Sequence, residues 1–175
     1  MFPSVTQVLS PFGDFSRVSP AVLEAAAERG IAVHRLCVGV ARRLFVHVPP
    51  ELSGYVASFK TWWPVVEELI AAEEEMVEPK LGYVGHPDLV VRIRGDQGLT
   101  VVDLKTPVVL GKTWACQLAA YSHMVGASRI LSLRLKRDGS RPIINEFTDN
   151  GRHFAAFCAA LSAWRYFYGE AHQNQ

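Results

Sequence analysis

The chain has 175 residues, 49% of them hydrophobic and 20% charged, with a formal net charge of +1. These values are typical of one globular domain with its own core, so residues 1–175 are expected to form a single domain, and bulk charge points to no particular polyanionic partner. No apolar run approaches the roughly 20 residues that span a bilayer, and the N-terminus lacks a secretory pattern, so we expect a protein without a membrane segment.

The three cysteines are Cys37, Cys116 and Cys158. Their odd number and wide spacing argue against a disulfide framework and against a four-cysteine zinc or iron–sulfur site. No iron–sulfur cluster is therefore expected. Reduced thiols are typical of the cytoplasm, where we expect this protein.

Helical patterns occupy the first part of the chain. Residues 4–11 predict a short helix capped by Ser4 or Thr6. Residues 19–45 predict a long helix that is interrupted by Gly30, at a cost of roughly 1 kcal/mol relative to alanine unless a close packing contact offsets it.

The pattern then changes from helical to strand periodicity and back. Strands, a helix, two more strands and a last helix indicate one mixed α/β (α+β) layer structure. The predicted elements are a helix over 54–75, strands over 76–95 and 99–106 joined by a turn at 96–98, a helix over 114–126, two strands over 128–148 and a helix over 151–169.

Three charged residues lie on the two strands joined by the turn at 96–98. Asp103 and Lys105 are two residues apart and share a strand face, and the turn brings Asp88 towards Asp103. Two adjacent carboxylates need a cation or a proton, and their hard oxygen atoms favour Mg²⁺ or Mn²⁺. An isolated D-x-K occurs often by chance, so a structural Asp103–Lys105 ion pair is the alternative.

Five segments of the chain carry a recognisable set of motifs. They are PSVTQVL (3–9), AAAERGIAVH (25–34), GYVGHPDLVV (82–91), VVDLKT (101–106) and QLAAY (117–121). Taken together, these segments resemble the PD-(D/E)XK nuclease superfamily in its RecB-like and phage-exonuclease branch, follow the family's order and cover most of the chain. The resemblance implies a restriction-endonuclease-like core, with a mixed central β-sheet flanked by helices.

The same resemblance implies roles for individual residues. Asp88 and Asp103 would be metal-binding carboxylates, with the backbone carbonyl of Leu104 as a further ligand. Lys105 would be the catalytic lysine. His34 matches the motif histidine that joins the metal site in the RecB-like branch, although a histidine buried in the core is the simpler interpretation of His34 taken alone.

A helix supplies two more catalytic candidates, Gln117 and Tyr121, which match the family's Q-x-x-x-Y motif. Their i, i+4 spacing places them on one helix face, although Tyr121 could also be a buried core aromatic. Glu74 and His86 are two additional metal-site candidates. For Glu74 a solvated position at a helix end is the alternative, and for His86 a role in the loop.

Nucleic-acid contacts are expected from basic and aromatic residues outside this set. Lys112 and Trp114 precede the Q-x-x-x-Y helix, and the remaining candidates lie in the hairpin predicted over 128–148, before its turn at Asp138-Gly139. A solvated hairpin with charged edges is the alternative for that segment, and a core position for Trp114. The candidates are Lys112, Trp114, Arg134, Lys136 and Arg137.

The function expected from the resemblance is a Mg²⁺- or Mn²⁺-dependent DNA nuclease, with one or two ions, that hydrolyses phosphodiester bonds through a metal-activated water. The family favours an exonuclease that acts on DNA ends in recombination or repair, in a bacterial, phage or prophage setting. DNA is the expected partner, and a recombination protein or an oligomer stays open. The alternatives are a non-cleaving nucleic-acid-binding module of the same fold and a structure-specific endonuclease.

Overall fold

The computed structural model describes residues 2–13, 19–107 and 110–169. Its elements appear in the chain in the order helices, strands, helix, strands, helix. The helices are α1 (Val5–Leu9), α2 (Pro20–Ala41), α3 (Ser53–Trp62), α4 (Trp114–Val125) and α5 (Asn150–Tyr168). The strands are β1 (Val66–Ala72), β2 (Met76–Glu78), β3 (Tyr83–Gly85), β4 (Leu89–Ile93), β5 (Leu99–Lys105), β6 (Arg129–Arg134) and β7 (Ile143–Glu146).

Local signals explain where several helices begin and end. The Ser4 side chain accepts a hydrogen bond from the Gln7 N–H, and the Gln7 side chain reaches back to the Ser4 N–H, so the predicted cap at Ser4 is confirmed. Helix α4 ends at Gly126, which has φ of 65° and adopts the left-handed conformation that glycine allows. Helix α2 stops at Ala41, four residues before the predicted end.

The helix predicted over 54–75 is wrong in its second half. Helix α3 ends at Trp62, a 3₁₀ turn over Trp63–Val65 follows, and β1 begins at Val66. Pro64 lacks an N–H and its ring would clash inside a continuing helix, so the chain breaks there. The next seven residues form an edge strand, because they can pair with the edge of β4 that β5 leaves unpaired.

The central sheet has five strands in the order β1-β4-β5-β6-β7. Strands β4 and β5 are antiparallel, as the turn at 96–98 predicts, whereas β5 and β6 are parallel. Helix α4 forms the crossover that a parallel connection requires. Strands β2 and β3 form a separate two-stranded hairpin.

Two hydrophobic clusters cover the two faces of the sheet. Val102 and Leu104 of β5 pack with α2 and α3, whereas Val101 packs with α1, α4 and α5. A mixed sheet flanked by helices on both faces confirms the predicted α/β fold class. The three cysteines are unpaired thiols, and none of the described helices is long and apolar enough to cross a membrane.

Candidate active site

The register of β4 and β5 brings the predicted acidic residues to the same end of the hairpin. Val90 pairs with Val101, and both belong to the cluster under α4 and α5. Because side chains alternate along β5, Asp103 and Lys105 point to the α4 side like Val101. Asp88 lies just before β4, and a hydrogen bond from the Leu104 N–H holds its side chain next to β5.

The distances show that these side chains form one cluster with His34. Lys105 Nζ lies 2.7 Å from Asp103 Oδ2. The Leu104 N–H donates to Asp88 Oδ2 at 2.6 Å, and His34 Nδ1 lies 3.3 Å from Asp88 Oδ1. We call His34, Asp88, Asp103 and Lys105 the buried charge cluster, because the exposed fraction of their side chains runs from only 3% to 22%.

The two carboxyl groups of the cluster have opposite electrostatic behaviour. Burial is the largest influence on Asp103; together with the negative charge of Asp88 it raises the pKa of Asp103 to about 6, despite the pairing with Lys105. Burial also disfavours charge on Asp88, but His34, Lys105 and the Leu104 N–H outweigh it and hold the pKa of Asp88 below its usual value. Of the two carboxyl groups, Asp88 is therefore the one that is more readily ionised.

The two basic groups keep their protons more tightly than usual. Burial favours loss of the proton from His34, but the charge of Asp88 and the hydrogen bond with it raise the pKa of His34. Burial opposes the charge of Lys105 in the same way, and Asp103 and Asp88 together raise the pKa of Lys105. The cluster therefore holds an ammonium group that is paired with Asp103 and is further stabilised by the charge of Asp88.

Helix α4 contributes the residues that surround the Lys105 ammonium. Gln117 Oε1 accepts from Lys105 Nζ at 3.4 Å, and Gln117 Nε2 donates to Tyr121 Oη at 3.3 Å. Tyr121 is only 3% exposed, and burial raises the pKa of its hydroxyl. The i, i+4 pair on one helix face therefore joins the cluster, as its spacing indicates.

Trp114 lies inside the site. The residue is 8% exposed, and Lys105 Nζ lies 5.3 Å from the centre of its ring, within the range of a cation–π contact. Gly111 makes room for the ring, since a Cβ atom there would lie 2.2 Å from Trp114 Nε1. The contact of Trp114 with Lys105 is not visible from the sequence, and its role in nucleic-acid binding stays a prediction.

Gly85 is a second contributor that sequence reasoning missed. A Cβ atom at this position would lie 2.5 Å from Tyr121 Cε1, so only glycine lets the Tyr121 ring approach the chain just before Asp88. Gly85 lies within the segment that carries the family resemblance, but nothing in its sequence context identifies Tyr121 as its neighbour. The backbone of Glu73 also supports the site, because its N–H donates to the carbonyls of Pro87 and Asp88.

The remaining metal-site candidates lie at the margin of the cluster. Glu74 is exposed, in the middle of the acidic run 73–75 that follows β1. His86 Nε2 lies 3.4 Å from Glu75 Oε2, and both side chains are more than half exposed. The structure therefore does not bring Glu74 or His86 into the buried charge cluster.

The basic candidates fall into two places. Lys112 lines a separate groove with Leu9 and Cys116, next to α5. Arg134, Lys136 and Arg137 lie together along another cleft, at the end of β6. The structure thus separates Lys112 from the other three.

The donor set can be tested against the metal that the resemblance implies. Among the residues that the structure describes, no group of three or more histidine, cysteine or acidic side chains is arranged to hold a metal ion. The chemistry of the set is nevertheless suitable, since Asp88 and Asp103 supply hard carboxylate oxygens and His34 an imidazole nitrogen. Asp103 Oδ2 is buried without a well-aligned hydrogen-bond donor, even though Lys105 Nζ is at ion-pair distance.

Comparisons with known proteins add little to this geometry. No protein-family model matches the chain, and no curated protein matches it in sequence. Solved structures do match, among them one described as "Crystal structure of SSO0001" with 16% identity and a TM-score of 0.40, covering 82% of this chain and 70% of that chain. A likeness this distant carries no inference about function.

Proposed function

We propose that the chain is a metal-dependent DNA nuclease whose chemistry takes place at the buried charge cluster. The observation that carries the proposal is the Lys105 ammonium, which is paired with the buried Asp103 carboxyl, is influenced by the charge of Asp88, and is held by Gln117 and Trp114. Residues from α2, β5, α4 and the segment before β4 converge on this one point. Such convergence is typical of a site for chemistry.

A purely structural ion pair is a poorer explanation of the cluster. Burying charge is costly, and a buried pair often contributes no net stability compared with apolar side chains. Here a second carboxylate is added to the pair, and it helps to raise the pKa of Asp103 to about 6. A cluster in which neighbouring groups disfavour the ionised form of one of its carboxyls is more typical of functional sites than of structural ones.

Asp88, Asp103 and His34, with the Leu104 carbonyl, are the residues that would hold Mg²⁺ or Mn²⁺. A divalent ion supplies Lewis-acid polarisation of a phosphoryl oxygen and lowers the pKa of a nearby water. Lys105 is suited to orient the attacking water and to neutralise the charge that develops on the phosphate. Gln117 fixes the position of the ammonium, and Trp114 shields one of its sides from solvent.

The resemblance to phage-type enzymes supports an exonuclease that acts on DNA ends in recombination or repair. The geometry of the cluster is equally suited to the hydrolysis of any phosphodiester, so the preference for ends comes from the resemblance. A non-cleaving module would have no need of a buried lysine–carboxylate pair with a second carboxylate near it.

A cleavage assay tests the proposal. Linear, nicked and closed-circular DNA are incubated with the protein in EDTA, Mg²⁺ or Mn²⁺, and Asp103→Asn is compared with Asp96→Asn as the matched control at a partly exposed site outside the cluster. We expect metal-dependent loss of linear DNA, a decrease of at least about 100-fold in Asp103→Asn and no decrease in Asp96→Asn. Intact DNA of every form with both metals would overturn the nuclease proposal, and cleavage of closed circles would replace the exonuclease with an endonuclease.

A further inference from the structure

Strand β6 carries a polar side chain in the middle of its buried stretch. Ile130, Leu131 and Leu133 are at most 1% exposed and belong to the hydrophobic clusters on the two faces of the sheet. Ser132 lies between them and is fully buried, and its Oγ has no hydrogen-bond partner within the described part of the chain. A buried hydroxyl without a partner lowers stability, so a serine at this position points to a role other than packing.

The strand register places Ser132 beside Asp103 of the buried charge cluster. The two residues are paired in the parallel ladder of β5 and β6. Val101 and Ile130, two positions earlier on each strand, are also paired, and both belong to the cluster under α4 and α5. Because side chains alternate along strands, Ser132 and Asp103 point to this same face, at the spacing of neighbouring strands, roughly 5 Å.

The two carboxyl groups of the buried charge cluster differ in their hydrogen bonds. Asp88 Oδ2 accepts from the Leu104 N–H at 2.6 Å, and Asp88 Oδ1 lies 3.3 Å from His34 Nδ1. Asp103 Oδ2 has the ion-pair contact of 2.7 Å with Lys105 Nζ, but no well-aligned donor among the residues described by the structure. A hydroxyl without an acceptor and a carboxyl oxygen without an aligned donor therefore lie at paired positions of neighbouring strands.

The neighbour of Ser132 on the other side is Asn145, with which it is paired in the antiparallel ladder of β6 and β7. Asn145 Oδ1 already accepts from Arg134 Nε at 3.0 Å. An ionised carboxylate is also a stronger acceptor than a side-chain amide. Of the two side chains that flank Ser132 across the sheet, Asp103 is therefore the better acceptor for its hydroxyl.

We propose that Ser132 is a positioning residue for Asp103: its hydroxyl donates to the Asp103 carboxylate and holds it in the orientation that binds a divalent ion. A serine hydroxyl has three staggered positions, so this contact is reached by rotation about the Cα–Cβ bond, without movement of the backbone. Carboxylates that bind metals are commonly held in this way by a hydrogen bond from a residue that does not itself touch the ion. The inference rests on the proposed nuclease function for the identity of the ion, Mg²⁺ or Mn²⁺.

A neutral donor suits this position better than a second cation. Lys105 and a divalent ion are both positive, so they repel each other when both are close to the Asp103 carboxylate. Gln117 Oε1 and the Trp114 ring keep the ammonium beside the site through contacts of 3.4 and 5.3 Å. The Ser132 hydroxyl stabilises the ionised carboxylate and adds no charge that would oppose the ion.

Binding of Mn²⁺ in the absence of DNA tests the role of Ser132 separately from cleavage. Isothermal titration calorimetry with Mn²⁺ is performed on the full chain as wild type, Ser132→Ala and Thr100→Val. Thr100 is the matched control: its Oγ1 is also buried and has no partner in the described chain, but it lies two positions before Val102 on β5 and faces α2 and α3. We expect Ser132→Ala to bind Mn²⁺ about tenfold more weakly than wild type, and Thr100→Val to bind it equally well.

Two further measurements distinguish positioning from an effect on folding. In EDTA, Ser132→Ala should have a urea midpoint no lower than that of wild type, because it loses a buried hydroxyl for which the described residues provide no partner. Ser132→Thr keeps a hydroxyl at this position, so its affinity for Mn²⁺ should stay within about threefold of wild type. If the added methyl group prevents folding, the comparison of Ser132→Ala with Thr100→Val still decides the question.

The outcomes separate this inference from the proposed function. Equal Mn²⁺ affinities of Ser132→Ala and Thr100→Val overturn the inference and leave the nuclease proposal in place, as does a lower urea midpoint of Ser132→Ala with unchanged affinity. Weaker Mn²⁺ binding by Ser132→Ala alone, together with no DNA cleavage by the wild type, supports the role of Ser132 and overturns the nuclease proposal. A wild-type protein that binds no Mn²⁺ overturns both.

Discussion

Two groups of charged residues lie at opposite ends of β6, and they use charge in different ways. At the start of the strand, Arg129 Nε and Nη2 each lie 2.8 Å from a Glu146 oxygen, and Nη1 lies 2.7 Å from Asp96 Oδ2. We call these three residues the exposed ion network, since about a third or more of each side chain is exposed. At the other end, β6 runs beside β5, which carries Asp103 and Lys105 of the buried charge cluster.

The difference lies in how well each group satisfies its own charges. In the exposed ion network, hydrogen bonding to Arg129 lowers the pKa of Glu146, so the carboxylate is favoured. In the buried charge cluster, burial and Asp88 raise the pKa of Asp103, so the carboxylate is disfavoured. The ion pairs of the exposed ion network contribute modest stability. In the buried charge cluster, by contrast, burial of incompletely neutralised charges lowers the stability of the fold.

The largest expected contrast is in activity. Lys105→Gln removes the ammonium at the proposed reaction centre, so we expect the rate of DNA cleavage to fall by at least about 100-fold. Arg129→Gln removes a cation at the far end of the sheet and should leave the rate within about twofold. The cleavage rates of the two variants are measured on gels with Mg²⁺. A similar loss of rate in both variants would contradict the separate roles of the two groups of charged residues.

Removal of a charge from the buried charge cluster is expected to increase stability, whereas it decreases activity. A raised pKa means that the folded state prefers the protonated acid, so the contribution of Asp103 is full below about pH 4 and lost as the pH rises through about 6. Asparagine resembles the protonated acid. At about pH 7.5 in EDTA, Asp103→Asn should therefore raise the free energy of unfolding by about 2 kcal/mol.

Urea unfolding at about pH 7.5 and pH 4 measures this effect, which should disappear at the lower pH. Asp96→Asn is the control, because it weakens a contact with Arg129 at the surface and should lower stability slightly at the higher pH. A destabilised Asp103→Asn protein at pH 7.5 would show that Asp103 is a structural partner of Lys105.

A smaller effect is expected from the exposed ion network itself. Arg129→Gln should lower the free energy of unfolding by about 1 kcal/mol at low ionic strength, with most of the difference lost in about 1 M salt. Because the pKa of Glu146 is lowered, the stabilising contribution is present at neutral pH and is lost as the pH falls through that pKa. Thermal unfolding in low and high salt measures it, with Arg92→Gln, a single contact of 3.4 Å to Glu68, as the weaker reference. A loss of stability that persists in high salt would contradict the description of the network as ion pairs at the solvent-screened surface.

The smallest effect concerns the helix that brings His34 to the buried charge cluster. A Cβ atom at Gly30 would meet nothing within 4 Å, so no close approach offsets the cost of glycine there. Gly30→Ala should raise the free energy of unfolding by about 0.5 to 1 kcal/mol without loss of activity. Gly39→Ala in the same helix, where a Cβ atom would lie 2.4 Å from Val46 Cγ1, should gain less or lose stability. Chemical denaturation compares the two, and a destabilised Gly30→Ala protein would contradict the open space at Gly30.

Short-range periodicity explains what could be predicted. The alternation in 101–106, the turn at 96–98 and the i, i+4 spacing of Gln117 and Tyr121 are local patterns, and each side chain lies where its pattern places it. The segment 66–72 could not be assigned in the same way, because its strand forms only when β4 is available as a partner. The sheet pairing overrode a pattern that local propensity favoured as helix.

Contacts between distant segments explain what the sequence did not reveal. Gly85 meets the Tyr121 ring, Gly54 meets the Arg137 carbonyl, and Trp114 lies beside Lys105. Each contact joins residues on separate elements, and only the fold brings them together. The basic residues at 134–137 were visible as a charge pattern, but the firm attachment of this segment to α3 was not.

The alternation of Asp103, Leu104 and Lys105 also bears on how the chain finds its fold. Leu104 is fully buried against α2 and α3, while its two neighbours face α4. A shift of β5 by one residue would turn two charged groups into an apolar core and expose leucine to the polar site. The cost of such a misaligned intermediate would disfavour it during folding, so the residues proposed for chemistry also protect the strand against assembly in the wrong register.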